Sequence, residues 1–195
     1  MTLYLATGNP GKLRELAARL EPLGLDVQPP PADAPSVDET ESTLAGNARL
    51  KAESLARHTG SPCLADDTGL EVDALDGRPG VHSARYAGPA CNPADNRALL
   101  LRELGDLTNR TARFRTSLAF AVPRKETRTF DGVCEGFITT APSGDGGFGY
   151  DVLFVPDGEA ETLAQMSTER KNAISHRGKA LDAFEAFARK HLVNR

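Results

Sequence analysis

The chain has no tryptophan and only three cysteines in 195 residues. Cys63, Cys91 and Cys134 are odd in number and widely spaced, which excludes a disulfide framework and a cysteine zinc cage and makes a reducing cytoplasm the expected location. There is no excess of positive charge either: 23 basic against 27 acidic residues leave a net charge of −4, so broad attraction to a nucleic-acid backbone is not expected. A small phosphate ligand is still allowed, because it needs only a local cluster of cations. No apolar run is long enough to cross a membrane, and Met1 leads straight into strand-like sequence with no basic, apolar leader. Neither a membrane partner nor a signal peptide is expected. The 39% hydrophobic and 26% charged composition suits a globular protein with one substantial core. A single domain over residues 1–195 is expected, with two lobes around a substrate cleft.

What the chain does contain is two adjacent carboxylates at the end of an apolar run, in Leu64-Ala65-Asp66-Asp67-Thr68-Gly69-Leu70. A half-buried carboxylate is costly unless it meets a cation or a donor, so paired aspartates at a strand end suggest a divalent metal site. Aspartates beside a glycine also cap turns, and the pair alone leaves both readings open.

The N-terminal segment reads as strand, tight turn and amphipathic helix. Leu3 to Ala6 are apolar, Thr7-Gly8-Asn9-Pro10-Gly11-Lys12 follow, and Leu13, Leu16, Ala17 and Leu20 then recur at helical spacing. Asn9 suits the N-cap and Pro10 the first helical position. The amides near Gly11 and Lys12 are then expected to lie free at the positive end of a helix, where phosphate binds. Lys12 would add a mobile cation. This is not a Walker loop, because Ala6 and Leu13 stand where that motif needs glycine and serine or threonine. An ordinary capped helix with a solvated lysine is the alternative.

Four prolines within Pro29–Pro35 make a stiff surface connection leading to Val37-Asp38-Glu39-Thr40-Glu41. A helix is expected from about Ser42 to His58. Lys51 lies on its apolar stripe, one turn beyond Asn47, and must either snorkel to water or direct its charge into a cleft. Strand material flanks the Asp pair at 62–65 and 71–72, and a helix follows Asn92-Pro93 to about Leu104. Residues 112–122 and 127–139 form a β-hairpin, a glycine-rich segment from Ser143 to Asp151 precedes a buried strand at 152–155, and a last helix starts near Arg177. The expected fold is α/β, with a mixed, strongly twisted sheet and flanking helices.

Five segments together resemble the inosine/xanthosine triphosphate pyrophosphatase family, the RdgB/Ham1-like proteins. They are Thr7 to Lys12, Ala65 to Leu70, Pro79-Gly80 with Ser83-Ala84-Arg85-Tyr86, Gly147 to Asp151, and Ser175-His176-Arg177-Gly178. The resemblance implies Mg²⁺-dependent hydrolysis of non-canonical purine nucleoside triphosphates such as ITP, dITP and XTP to monophosphate and pyrophosphate, cleaning the nucleotide pool. It also implies a homodimer. By the same resemblance Thr7, Gly8, Asn9, Pro10, Gly11 and Lys12 bind the triphosphate. Asp67 is general base and metal ligand, Glu39 the second acidic ligand, and Lys51 a catalytic partner. Thr68 contacts substrate, Phe148, Gly149, Tyr150 and Asp151 take the base, and Lys171, His176 and Arg177 touch the base and nearby phosphate. The chain departs from the family at Gly46, where many bacterial relatives carry glutamate; that carboxylate is then missing or supplied by Glu41.

Two other readings differ in substrate or class. A Maf-like pyrophosphatase would prefer pyrimidine or modified nucleotides, and a nucleotide-binding sensor would bind without turnover. Donors aimed at a C6 carbonyl would reject adenine, and Phe148 would stack on the purine. The glycines before it suggest an exposed, mobile loop.

Overall fold

The computed structural model describes residues 1–193. Short-range sequence signals set most element ends. Strand β1 (Thr2–Leu5) leads into helix α1 (Pro10–Leu20), capped by Asn9 with Pro10 in the first turn. Strand β2 (Asp26–Gln28) follows. Helix α2 (Leu44–Thr59) starts at the Thr43 cap and stops at Gly60, whose φ of 66° is in the left-handed region that glycine adopts at low cost. Strand β3 (Cys63–Val72), the short β4 (Pro79–Gly80) and helix α3 (Pro93–Leu104) come next. Strands β5 (Thr111–Ala121) and β6 (Arg128–Ile138), strand β7 (Phe154–Pro156), and helices α4 (Thr168–Ile174) and α5 (His176–Ala188) complete the order.

The strands form one seven-stranded sheet in the order β2-β1-β3-β5-β6-β7, with β4 paired to β3. It is mixed, as expected: β1 is parallel to β2 and β3, whereas β4 is antiparallel to β3 and β7 to β6. Two expectations change. The Asp pair is not followed by a turn at Gly69, because residues 63–72 are one continuous strand. Helix α4, capped by Ser167, has no counterpart in the sequence reading; with only seven residues it is too short to show a clear 3.6-residue period.

The chain divides into two compact units, residues 1–67, 116–132 and 179–195, and residues 68–115 and 133–178. The first has a core of Leu3, Leu5, Leu16, Leu20, Leu64, Leu118, Leu181 and Phe184. It also holds an alanine-rich cluster, in which Ala48, Ala52 and Ala56 of α2 meet Ala65, Ala119 and Ala121 of the strands. Small residues on both sides let the helix axis come close to the sheet. The second unit is built on Leu70, Val72, Leu100, Leu104, Phe114, Ile138, Leu153 and Phe154.

Phe184 is fully buried and packs against Phe120, Phe130 and Phe187 at ring-centroid distances of 5.5, 5.4 and 6.4 Å. Phe184→Ala removes the centre of this cluster and is expected to lower stability by about 3–5 kcal/mol. Urea unfolding checks this; an unchanged midpoint would show that the aromatic cluster contributes no net stability.

Candidate active site

In the first unit, α1, β3, α2 and the segment before α2 bring together five charged side chains. Lys12 Nζ lies 2.9 Å from Asp66 Oδ2, and Lys51 Nζ contacts both Glu39 Oε1 at 2.8 Å and Asp67 Oδ1 at 2.9 Å. Asp66 and Asp67 are buried because β3 is an interior strand, so strand alternation sends their carboxylates to opposite faces and each needs its own cation. The position of Lys51 on the apolar stripe of α2 is thereby explained: its charge is directed inward.

Two lysines are thus paired with three carboxylates. Burial pushes the pKa of Asp67 up, and Glu39 adds to this while Lys51 and Lys12 only partly offset it. Burial opposes the Lys51 ammonium, yet Asp67, Asp66 and Glu39 together hold its pKa above the ordinary lysine value. The two shifts have different causes: burial raises Asp67, whereas the neighbouring carboxylates raise Lys51 against burial.

The loop before α1 differs from expectation. The Gly11 and Lys12 amides are not free, because Asn9 Oδ1 accepts from both at 2.8 and 3.2 Å. A residue good enough to cap the helix occupies the donors that an anion would use. Thr7 Oγ1 accepts from the Asn9 amide at 3.2 Å, and a Cβ placed on Gly8 would meet nothing within 4 Å. Thr7, Gly8 and Lys51 line an open pocket of about 240 Å³, whose other wall is formed by Pro30, Pro31, Pro35 and Val37 of the proline-rich connection.

In the second unit a separate set gathers around the glycine-rich loop. Phe148 lies within cation–π reach of Lys171 Nζ at 5.0 Å and of the Arg177 guanidinium at 5.4 Å. Asp151 Oδ2 accepts from the Phe148 amide at 2.8 Å and pairs with Lys171 at 3.0 Å, in a buried ion pair. Arg177 donates to Thr68 Oγ1 at 3.3 Å, and His176 stacks on Phe114 at 4.7 Å. Gly178 allows α4 and α5 to meet, since a Cβ there would fall 1.8 Å from the Asn172 carbonyl oxygen.

The glycine-rich loop is exposed over residues 141–147, as expected. Tyr150 is buried and donates its hydroxyl to the Ser83 carbonyl at 2.9 Å, so its side chain anchors the loop. The glycines serve close approach: Cβ atoms on Gly144 and Gly146 would each lie 2.7 Å from Ala164 backbone atoms, and one on Gly147 would lie 2.2 Å from Asp151 Oδ2. Arg97, absent from the sequence reading, donates to the Gly149 carbonyl at 2.9 Å. Its only advance signal was its place near the start of α3.

Asp151→Ala would leave the Lys171 charge buried and the Phe148 amide without its acceptor. It is expected to cost about 3–5 kcal/mol, and Asp151→Ala/Lys171→Met less than the single change. Denaturant unfolding of both variants decides this; a double variant weaker than the single one would contradict it.

The Ham1 family matches residues 3–187. A dITP/XTP pyrophosphatase of an Exiguobacterium species is 50% identical over 95% of this chain and 96% of its own length. The dITP/XTP pyrophosphatase of Geobacillus kaustophilus is 51% identical over 92% and 90%. Among solved structures, the Ham1 protein of Staphylococcus aureus superposes with a TM-score of 0.88 at 36% identity, covering 97% of this chain and 99% of that one. A HAM1 protein of Coxiella burnetii gives a TM-score of 0.90 at the same identity and coverage. A fold shared at that level, and half-identity across nearly the full length, make this chain a member of the Ham1 family.

Proposed function

We propose that the protein hydrolyses non-canonical purine nucleoside triphosphates, dITP and XTP with ITP, to the monophosphate and pyrophosphate. The observation that carries this reading is the cluster of Lys12, Lys51, Glu39, Asp66 and Asp67, and the names of the half-identical relatives supply the substrate class.

A triphosphate brings about four negative charges. A cluster whose lysines are already paired with carboxylates will not hold it without a divalent cation. The donor set suits Mg²⁺, since carboxylate oxygens are hard ligands and one or two of them are enough when phosphate oxygens and waters complete the shell. Among the described residues, no group of three or more His, Cys, Asp or Glu side chains could hold a metal ion by itself. Glu39 and Asp67 would hold Mg²⁺, while Asp66 lies on the opposite face of β3 with Lys12. Bound there, the ion would neutralise phosphate charge and lower the pKa of a water.

The chain's own groups then act by position and charge. Asp67 orients the attacking water and accepts its proton. Lys51 and Lys12, released from the carboxylates, neutralise phosphate oxygens, and Thr7 and Gly8 leave room for the phosphate chain. Attack on a phosphoanhydride needs little more than such placement, and no covalent intermediate is required. In the second unit Phe148 supplies a stacking face, while His176, Arg177 and Lys171 supply donors for a C6 carbonyl. An adenine amine would be set against them. The homodimer and a cytoplasmic location are part of the same proposal; no helix among the described residues is long and apolar enough to cross a membrane.

The test is a hydrolysis panel of dITP, XTP, ITP, ATP, GTP and a pyrimidine triphosphate with Mg²⁺ and with chelator. Conversion of dITP, ITP and XTP to monophosphate and pyrophosphate, lost with chelator, is expected; pyrimidine preference or diphosphate product would overturn the assignment. Asp67→Asn is expected to lower kcat by about 10²–10⁴-fold in a folded protein. Retention of a tenth of the activity would remove the base role. Lys12→Ala should chiefly raise KM, and unchanged constants would exclude Lys12 from phosphate binding.

A further inference from the structure

Asn47 is a neutral, fully buried side chain at the centre of the charged cluster. It lies one turn before Lys51 on α2, and residues four apart share a helix face. Its Oδ1 accepts from the Glu41 backbone amide at 2.9 Å, and its Nδ2 donates to Asp67 Oδ2 at 3.4 Å. Lys51 bridges the same two stretches of chain, the segment holding Glu39 and the middle of β3. The two ties differ in kind. That of Lys51 is ionic and must yield if its charge is to meet phosphate, whereas that of Asn47 carries no charge for a metal or a phosphate to displace.

Only a side-chain amide does both jobs at this place, since Oδ1 must accept and Nδ2 must donate. Aspartate could not donate to Asp67, and leucine could make neither bond. Because Nδ2 engages Oδ2, the other oxygen of Asp67 is the one turned toward Lys51. The helix also makes room for the segment it holds. A Cβ on Gly46 would lie 2.7 Å from Glu41 Cβ and 2.9 Å from its Cγ, so only glycine lets residues 39–41 lie this close to the first turn of α2.

We infer that Asn47 is the positioning residue of the metal site: it fixes the separation of the Glu39 segment from Asp67, and so sets divalent-metal affinity before any nucleotide binds. The inference rests on the proposed metal-dependent reading of this cluster. Asn47 does not touch the reacting atoms; it acts through Asp67 and through the Glu41 backbone. Groups that orient metal ligands in this way are usually worth about 10–100-fold in metal affinity.

The experiment is a Mn²⁺ titration of the nucleotide-free protein, followed by electron paramagnetic resonance, for wild type, Asn47→Leu and Gly46→Ala. Asn47→Leu keeps the branched outline of the side chain, though with more bulk, and is expected to weaken Mn²⁺ binding by about 10–100-fold in protein that circular dichroism shows to be folded. Gly46→Ala leaves Asn47 in place and puts a better helix former in α2, so folding is kept while residues 39–41 are pushed outward. It is expected to weaken binding in the same direction by a smaller factor. Wild-type Mn²⁺ affinity in folded Asn47→Leu overturns the inference, and if that variant does not fold, wild-type affinity in Gly46→Ala overturns it. A wild-type protein that binds no Mn²⁺ without nucleotide overturns the inference, whereas the metal reading fails only if chelator leaves hydrolysis unchanged. Asn47-dependent Mn²⁺ binding in a protein that hydrolyses none of the triphosphates would support the inference and overturn the proposed function.

Discussion

The arrangement of the first unit depends on the pairing of buried carboxylates with lysines. Asp66 and Asp67 are buried side by side in an interior strand, Glu39 is drawn in beside them, and Lys12 and Lys51 pair with these three carboxylates. Buried charge is tolerated only when paired, which fixes where each lysine must be. Lys12 has to lie within reach of β3 from the first turn of α1, and Lys51 has to face inward on α2. The alanines of α2 and of the strands around it bring the helix close enough for that reach.

The second unit uses charge differently. There the buried pair of Asp151 and Lys171 is balanced one to one, and its work is architectural: Asp151 also holds the Phe148 amide, and Lys171 lies over the Phe148 ring. Arg97 and Tyr150 fasten the two residues that follow Phe148. A ring held at so many points, with cations at its face, is preorganised for one kind of planar partner, which is how selectivity between similar bases is obtained. The carboxylate cluster of the first unit and the balanced pair of the second suit their proposed tasks, holding a metal with a polyphosphate and holding a neutral base.

Much of this was legible in the sequence. The mixed α/β sheet followed from the order of apolar runs and caps, and the misplacement of Lys51 on an apolar stripe left two directions open, of which the structure takes the inward one. What was hidden was hidden for local reasons. Gly69 reads as a turn but lies in the middle of β3, because pairing with neighbouring strands outweighs the weak strand propensity of one glycine. Asn9 was read as a cap whose helix amides stay open to an anion, although capping is itself the occupation of those amides. Tyr150 lies in a motif beside Phe148 and Asp151, and sequence gives no sign that its hydroxyl turns inward to the Ser83 carbonyl. Asn47 and Arg97 carry no pattern at all. Their meaning lies in partners 20 and 52 residues away.

The central claim is that the carboxylates around Asp67 must take up a divalent ion before a polyphosphate can bind. Calorimetric titration with a non-hydrolysable dITP analogue, once in Mg²⁺ and once in chelator, measures this directly. The account predicts affinity at least about tenfold weaker in chelator, within the usual range of coupling between two bound species. Equal affinity in the two conditions would contradict it.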